Sequence, residues 1–173
     1  MKIFRTGGTL VLAINPSTRG FGFALFERRH DLIDWGMRKI TPRKATRTLL
    51  KVNMLFQLYQ PGVVVIEDYN GEGSRRSQRV QELIDSIVAL AQEKGVKTAH
   101  FSRASVRACF DPEGAQSKDE IALVLVKQFP ELEPRLPKKR KPWQSEDANM
   151  VIFDAVALAV TYFRSKENGK EAA

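Results

Sequence analysis

The stretch Thr9–Glu27, TLVLAINPSTRGFGFALFE, decides the fold that this chain can adopt. Its first part, Thr9–Ile14, is an apolar run of β-formers, and we expect Asn15-Pro16-Ser17 to end that strand as a turn. Its second part, Gly20–Glu27, alternates small and large side chains, as a half-buried strand does. A third run, Asp31–Ile40, follows closely enough to complete an antiparallel meander of three strands.

After the meander, helical and strand patterns alternate along the chain. Helical spacing of apolar residues predicts helices over 42–60, 78–94, 117–129 and 146–163, with a short helix after Ser102. Apolar runs at Val63–Ile66 and Val96–Phe101 predict two more strands. The order β-β-β-α-β-α-β-α-α-α predicts an α/β fold with a five-stranded mixed sheet, in which parallel strands extend the meander and helices flank both faces.

The length fits one domain over residues 1–173. We expect an ordered core over about residues 9–164 and a frayed tail over 165–173. The single cysteine, Cys109, excludes an intrachain disulfide and a cysteine-rich zinc site, which is typical of a reducing compartment. No apolar run approaches the length of a membrane span, and the first residues lack a signal-peptide core, so we expect a cytoplasmic protein without a membrane partner.

The charge of the chain indicates a polyanionic partner. Lys and Arg number 28 against 20 Asp and Glu, which gives a net charge of +8 at pH 7. A basic protein without such a partner is the alternative, and clustering of the charge favours nucleic acid. Two loop-borne groups carry the cluster, and each neutralised phosphate would add to affinity: Arg75, Arg76 and Arg79, and then Lys138, Lys139, Arg140 and Lys141. Tyr69 and Trp143 lie among these groups and could stack on exposed bases.

Four polar residues, three of them carboxylates, lie at the ends of predicted strands or on the predicted last helix. Glu67 comes directly after a buried strand, at the sheet edge where α/β proteins place their sites. Asn15 follows the first strand in the same way. If the first and fourth strands are neighbours, Asn15 would lie near Glu67. The alternative role for Asn15 is that of a turn former before proline. Asp147 and Asp154 are seven residues apart, so a continuous helix would place them on one face. Asp154 has only apolar neighbours, which calls for a metal, a cation or a strong hydrogen bond.

Such a set of oxygen ligands, without His or Cys, suits Mg²⁺ or Mn²⁺. Two such ions about 4 Å apart can activate water and stabilise the leaving oxygen in phosphodiester hydrolysis. The sequence therefore predicts a nuclease-type metal site at Glu67, Asp147 and Asp154, with Asn15 beside them. A salt bridge around Asp154 is the alternative.

Four motifs, in this order, resemble the RuvC-type Holliday junction resolvases of the ribonuclease H-like superfamily. They are the hairpin LVLAINPSTRGFGFALFE, the strand VVVIEDYN, the helix start SKDEIA and the closing helix FDAVALAV, which together span about residues 9–163. SRRS and the KPWQSED segment point to a RuvC-like branch of that family.

The resemblance implies a homodimer that cuts four-way DNA junctions with divalent metal. It implies that Glu67 and Asp154 are metal-binding acids and that Lys118 assists near the scissile phosphate. It also implies an aspartate where this chain has Asn15, and an acid or histidine where it has Val151, with Asp147 as the substitute one turn earlier. A neutral amide cannot bridge two metal ions as a carboxylate does, so we expect hydrolysis by this chain to be impaired.

Four functions stay open at this point. The first is a metal-dependent endonuclease for branched DNA in which Asn15 is an inactivating substitution. The second is a natural binder of branched DNA that does not cut. The third is an RNA-directed nuclease with the same fold, and the fourth is a structural protein without a nucleic-acid role.

Overall fold

The computed structural model describes residues 9–41 and 44–171. The meander consists of β1 (Val11–Ser17), β2 (Gly20–Phe26) and β3 (Leu32–Lys39). The remaining elements are α1 (Ala45–Tyr59), β4 (Val63–Glu67), α2 (Gln78–Glu93), β5 (Lys97–Phe101), α3 (Arg103–Phe110), α4 (Lys118–Gln128) and α5 (Met150–Glu171), with short 3₁₀ helices at Asp111–Glu113 and Pro130–Arg135. The predicted order of strands and helices is confirmed.

The five strands form one mixed sheet in the order β3-β2-β1-β4-β5. β1 pairs antiparallel with β2 and parallel with β4, and β5 extends the parallel half. The condition under which Asn15 was expected near Glu67, that the first and fourth strands are neighbours, is therefore met. Parallel strands joined through helices have their carboxyl ends at the same edge, so the residues that end β1, β4 and β5 lie together.

The alternation of side chains divides the core into two layers. In β1, Leu12 and Ile14 face the layer beneath α1 and α2, whereas Val11 and Ala13 face the layer beneath α3, α4 and α5. Because the period of a strand is two, Asn15 faces the same side as Ala13. The same rule in β4 places Glu67 with Val65 on the α5 side.

A glycine allows α5 to approach the sheet closely at this point. Gly22 lies opposite Asn15 in the β1–β2 ladder, beneath the first turn of α5. A Cβ atom added there would be 2.1 Å from the backbone oxygen of Val151. The absence of a side chain at Gly22 therefore determines how near α5, and with it Asp154, lies to the strand ends.

The structure corrects the prediction that Asn15-Pro16-Ser17 forms a turn. β1 continues to Ser17, and the turn lies at Thr18 and Arg19. Pro16 is tolerated because the parallel ladder to β4 ends at Ala13, so the missing N–H of proline leaves no acceptor there unpaired.

The observed last helix also differs from the predicted one at both ends. The predicted start at Glu146 is wrong, because α5 begins at Met150. Asp147 precedes the helix and forms a turn, since its Oδ1 accepts the Asn149 N–H at 2.8 Å and its backbone oxygen accepts that of Met150 at 3.0 Å. At the other end, helical structure continues to Glu171, past the expected fraying point at residue 164. Among the described residues, no helix is both long and apolar enough to cross a membrane.

Candidate active site

Asn15, Glu67 and Asp154 meet at the carboxyl edge of the sheet. The Asn15 side chain is only 2% exposed and Glu67 only 8%, which is unusual for polar groups. The Asn15 Nδ2 atom is 3.5 Å from Asp154 Oδ2, at the outer limit of a hydrogen bond. This arrangement joins the ends of β1 and β4 to the second turn of α5, as the two strand ends and the apolar context of Asp154 predicted.

Basic side chains neutralise the carboxylates of Glu67 and Asp154. The Arg76 guanidinium donates from Nε to Glu67 Oε2 at 2.5 Å and from Nη2 to Asn15 Oδ1 at 2.6 Å. Lys118 Nζ donates to Asp154 Oδ2 at 2.9 Å, and Arg103 Nη1 is 3.9 Å from Asp154 Oδ1. The requirement that Asp154 have a partner is therefore met by chain cations, which was the alternative to a metal.

Lys118 is held in place by local structure. It opens α4, where Ser117 caps the helix and forms a reciprocal capping box with Glu120. The same ammonium group is 3.1 Å from Glu146, in the segment that precedes α5. Lys118 therefore bridges α4, α5 and the Glu146 segment, which fixes one wall of the site.

These residues line one open groove of about 570 Å³, hereafter the central groove. Asp147 also lines this groove, although its side chain is exposed and does not share a helical face with Asp154 as expected. Among its lining residues, seven are basic: Arg75, Arg76, Arg103, Arg107, Lys118, Lys138 and Arg140. Such a surface attracts a polyanion.

The structure separates the predicted nucleic-acid residues into two sets. Arg75, Arg76, Lys138 and Arg140 line the central groove, whereas Lys139, Lys141, Arg79, Tyr69 and Trp143 do not. Arg79 lies beside a small cavity under α1 instead. The Tyr69 hydroxyl donates to Asp85 of α2 at 2.7 Å, and this hydrogen bond raises the pKa of Tyr69. Trp143 is 78% exposed, with Lys141 over its ring at 5.4 Å.

Sequence reasoning missed Arg103 and Arg107. Arg103 begins α3 directly after Ser102, which follows β5 and caps α3 by accepting the Ser105 N–H. The rule that identified Glu67, a polar residue at the carboxyl end of a parallel strand, would have identified Arg103 as well.

The donor atoms do not fit a centre of two divalent ions. Within residues 9–41 and 44–171, no three His, Cys, Asp or Glu side chains lie close enough together to hold a metal ion. Asn15 is neutral, and the carboxylates of Glu67 and Asp154 already contact Arg76 and Lys118. Binding of Mg²⁺ or Mn²⁺ stays a prediction.

Several solved structures share this fold. No protein-family model matches the chain, and no curated protein matches it. Thermus thermophilus RuvC matches with a TM-score of 0.65 and 18% identity, covering 92% of this chain and 97% of that one. The yeast mitochondrial Holliday junction resolvase matches with a TM-score of 0.65 and 14% identity, over 96% of this chain and 82% of that one.

A third match is the Fowlpox virus resolvase, solved with Holliday junction DNA, at a TM-score of 0.53 and 14% identity over 91% of this chain and 99% of that one. The fold is therefore of the ribonuclease H-like class. Within that class, it is the fold of the RuvC-type resolvases, as the sequence motifs predicted.

Proposed function

We propose that this protein is of the structure-specific endodeoxyribonuclease type and that its substrate is a Holliday junction or other branched DNA. The observation that carries the proposal is the position of Asn15, Glu67 and Asp154 at the floor of the basic central groove. T. thermophilus RuvC and the Fowlpox virus resolvase, which share the fold, have been solved with Holliday junction substrates.

Four cations of the central groove are available for DNA. Arg75, Arg107, Lys138 and Arg140 have no ion-pair partner within the described parts of the chain, unlike Arg76, Arg103 and Lys118. Each of the four can neutralise a backbone phosphate, which contributes affinity without sequence preference. We therefore propose that DNA is held by its backbone along the groove, with the cluster around Asp154 nearest to one phosphodiester.

Cleavage by the chain as it stands is proposed to be slow, because Asn15 offers no negative charge. Divalent-metal dependence, with Mg²⁺ or Mn²⁺, is proposed for a chain that carries a carboxylate at position 15. A cytoplasmic location is proposed as well.

A homodimer is also proposed. Its support in this chain is a stripe of exposed apolar side chains on α1, where Leu50, Met54 and Leu58 repeat every four residues and so share one helical face. Exposed apolar patches of this kind mark contact surfaces, and a second copy of the chain would cover this one.

The deciding experiment compares wild type with Asn15→Asp on a labelled four-way junction and a matched linear duplex. We expect both proteins to prefer the junction, and we expect only Asn15→Asp to nick it, in Mg²⁺ or Mn²⁺ but not in EDTA. Glu67→Gln combined with Asn15→Asp is the matched control, expected to bind but not to nick, because it again removes one carboxylate from the cluster.

Three results would contradict the proposal in different ways. Junction binding without nicking by Asn15→Asp would favour a non-catalytic binder of branched DNA. Preferential cutting of an RNA–DNA hybrid would favour an RNA-directed nuclease. The absence of binding to any nucleic acid at low salt would favour a structural protein.

A further inference from the structure

Arg76 contacts both strand ends of the site at once. Its Nε atom donates to Glu67 at 2.5 Å, its Nη2 atom to the Asn15 side chain at 2.6 Å, and its Nη1 atom lies 3.4 Å from the Pro16 backbone oxygen. A guanidinium group keeps its charge at every physiological pH and offers its donors in a fixed plane. One side chain thus supplies a positive charge between β1 and β4.

The backbone of Arg76 is anchored as well. Arg76 precedes Ser77, which caps α2 by accepting the Val80 N–H at 3.4 Å. The Gln81 side chain donates to the Arg76 backbone oxygen at 2.9 Å. The guanidinium is therefore directed into the central groove from a helix start with fixed geometry, and its side chain is only 21% exposed.

We propose that Arg76 is a built-in cation that takes the place of a divalent metal ion between Glu67 and Asn15, and that it keeps such ions out of this position as long as residue 15 is the neutral asparagine. Asn15 suits this arrangement. Its Oδ1 atom accepts from Arg76, while its Nδ2 atom is directed at Asp154, a contact that a carboxylate could not donate. The neutral amide at residue 15 and the cation at residue 76 are thus complementary parts of one network.

Asp154 shows the same principle on the other side of Asn15. Lys118 and Arg103 contact its two oxygens at 2.9 Å and 3.9 Å. A divalent ion at Glu67 would have to displace Arg76 from the carboxylate and would meet two further cations nearby, and both effects oppose its binding.

The test is a Mn²⁺ titration of the protein without DNA, in which the electron paramagnetic resonance signal of free Mn²⁺ measures how much of the ion is bound. Wild type, Arg76→Gln and Arg75→Gln are compared. Arg75 lines the same groove without contacting Glu67, so Arg75→Gln is the control with an equal change of charge. We expect Arg76→Gln to bind Mn²⁺ about tenfold or more tightly than both wild type and Arg75→Gln, since a charge-assisted hydrogen bond no longer competes. Adding Glu67→Gln to Arg76→Gln should abolish this gain.

Equal affinity of Arg76→Gln and Arg75→Gln, or tight binding by wild type, would overturn the proposal. If circular dichroism shows that Arg76→Gln does not fold, Arg76→Lys is used in its place. Lysine keeps the positive charge, but its single ammonium group cannot bridge both strand ends. Arg76→Lys should bind Mn²⁺ about threefold more tightly than wild type, and no gain would likewise overturn the proposal. The meaning of this inference for cleavage rests on the proposed function. Because the titration contains no DNA, its failure is distinct from a failure of junction binding.

Discussion

Replacement of Gly22 by alanine tests the claim that contact between α5 and the sheet builds the site. The added Cβ would be 2.1 Å from the Val151 oxygen and 2.3 Å from its carbonyl carbon, whereas real Cβ contacts essentially never fall below 3.0 Å. Both atoms belong to the backbone, so no side-chain rotation can relieve the overlap. The first turn of α5 must therefore move away by at least 0.9 Å, the difference between 3.0 and 2.1 Å.

The cost of Gly22→Ala is expected at the upper end of the range for overpacking, about 3 kcal/mol, because the first half of α5, which lies over Gly22, is largely buried. For a domain of this size, that loss lowers the melting temperature by about 6–12 °C. The same displacement lengthens the contact between Asn15 and Asp154, which is already 3.5 Å, and should weaken junction binding where the variant is still folded.

Urea unfolding followed by circular dichroism measures this cost, and Gly36→Ala is the matched control in β3. The Cβ of that variant would be 3.3 Å from a side-chain atom of Phe23, an overlap that a shift of a few tenths of an ångström relieves, so its stability should stay within about 1 kcal/mol of wild type. If Gly22→Ala is as stable as Gly36→Ala, the reasoning that Gly22 determines the height of α5 is refuted.

Three further predictions concern charge, titration and assembly. Neutralising Lys138 and Arg140 together with glutamine should reduce the slope of log Kobs against log salt for duplex DNA by about 2, measured by fluorescence anisotropy, and an unchanged slope would remove both from the interface. Burial, followed by the hydrogen bond to Asp34, raises the pKa of Tyr59 to about 12. The neutral phenol therefore stabilises the fold below about pH 10, and this stability is lost as the pH rises towards 12. Tyr59→Phe should show a smaller loss of unfolding free energy between about pH 9 and 11 than wild type, and an equal loss would contradict this assignment. Met54→Glu should shift the protein from dimer to monomer in analytical ultracentrifugation, and an unchanged dimer would exclude the exposed stripe of α1 as its contact.

The parts of the fold that follow from periodicity could be predicted from the sequence. The apolar run Thr9–Ile14 predicted the first strand, and its end at Asn15 predicted a polar side chain at the edge of the sheet. The buried run before Glu67 predicted a central strand in the same way.

Features that depend on a few competing hydrogen bonds could not be predicted in this way. Asn15-Pro16 is a strong turn signal, but its local preference is overridden because β2 continues to pair with β1 as far as Ser17. Asp147 was placed on α5 by spacing alone, whereas its carboxylate forms a turn with the Asn149 N–H instead.

The ion pairs of the site were the least predictable part. Arg76 is nine residues from Glu67 and 61 from Asn15, and nothing in the sequence distinguishes it from Arg75. Only the direction of the chain before α2 determines which of the two arginines reaches the carboxylate. The sequence therefore predicted which groups meet at the sheet edge, but not which charges pair there.

The position of Pro16 directly after Asn15 has a consequence for the chemical ageing of the protein. Spontaneous deamidation of asparagine begins when the backbone nitrogen of the next residue attacks the side-chain carbonyl, and the nitrogen of proline has no hydrogen to give up. Asn15 is also held in a β-strand, and its amide oxygen accepts from Arg76. The amide at this position is thus protected against slow conversion to a carboxylate, and a stored sample should keep the same residue, and the same activity, as a fresh one.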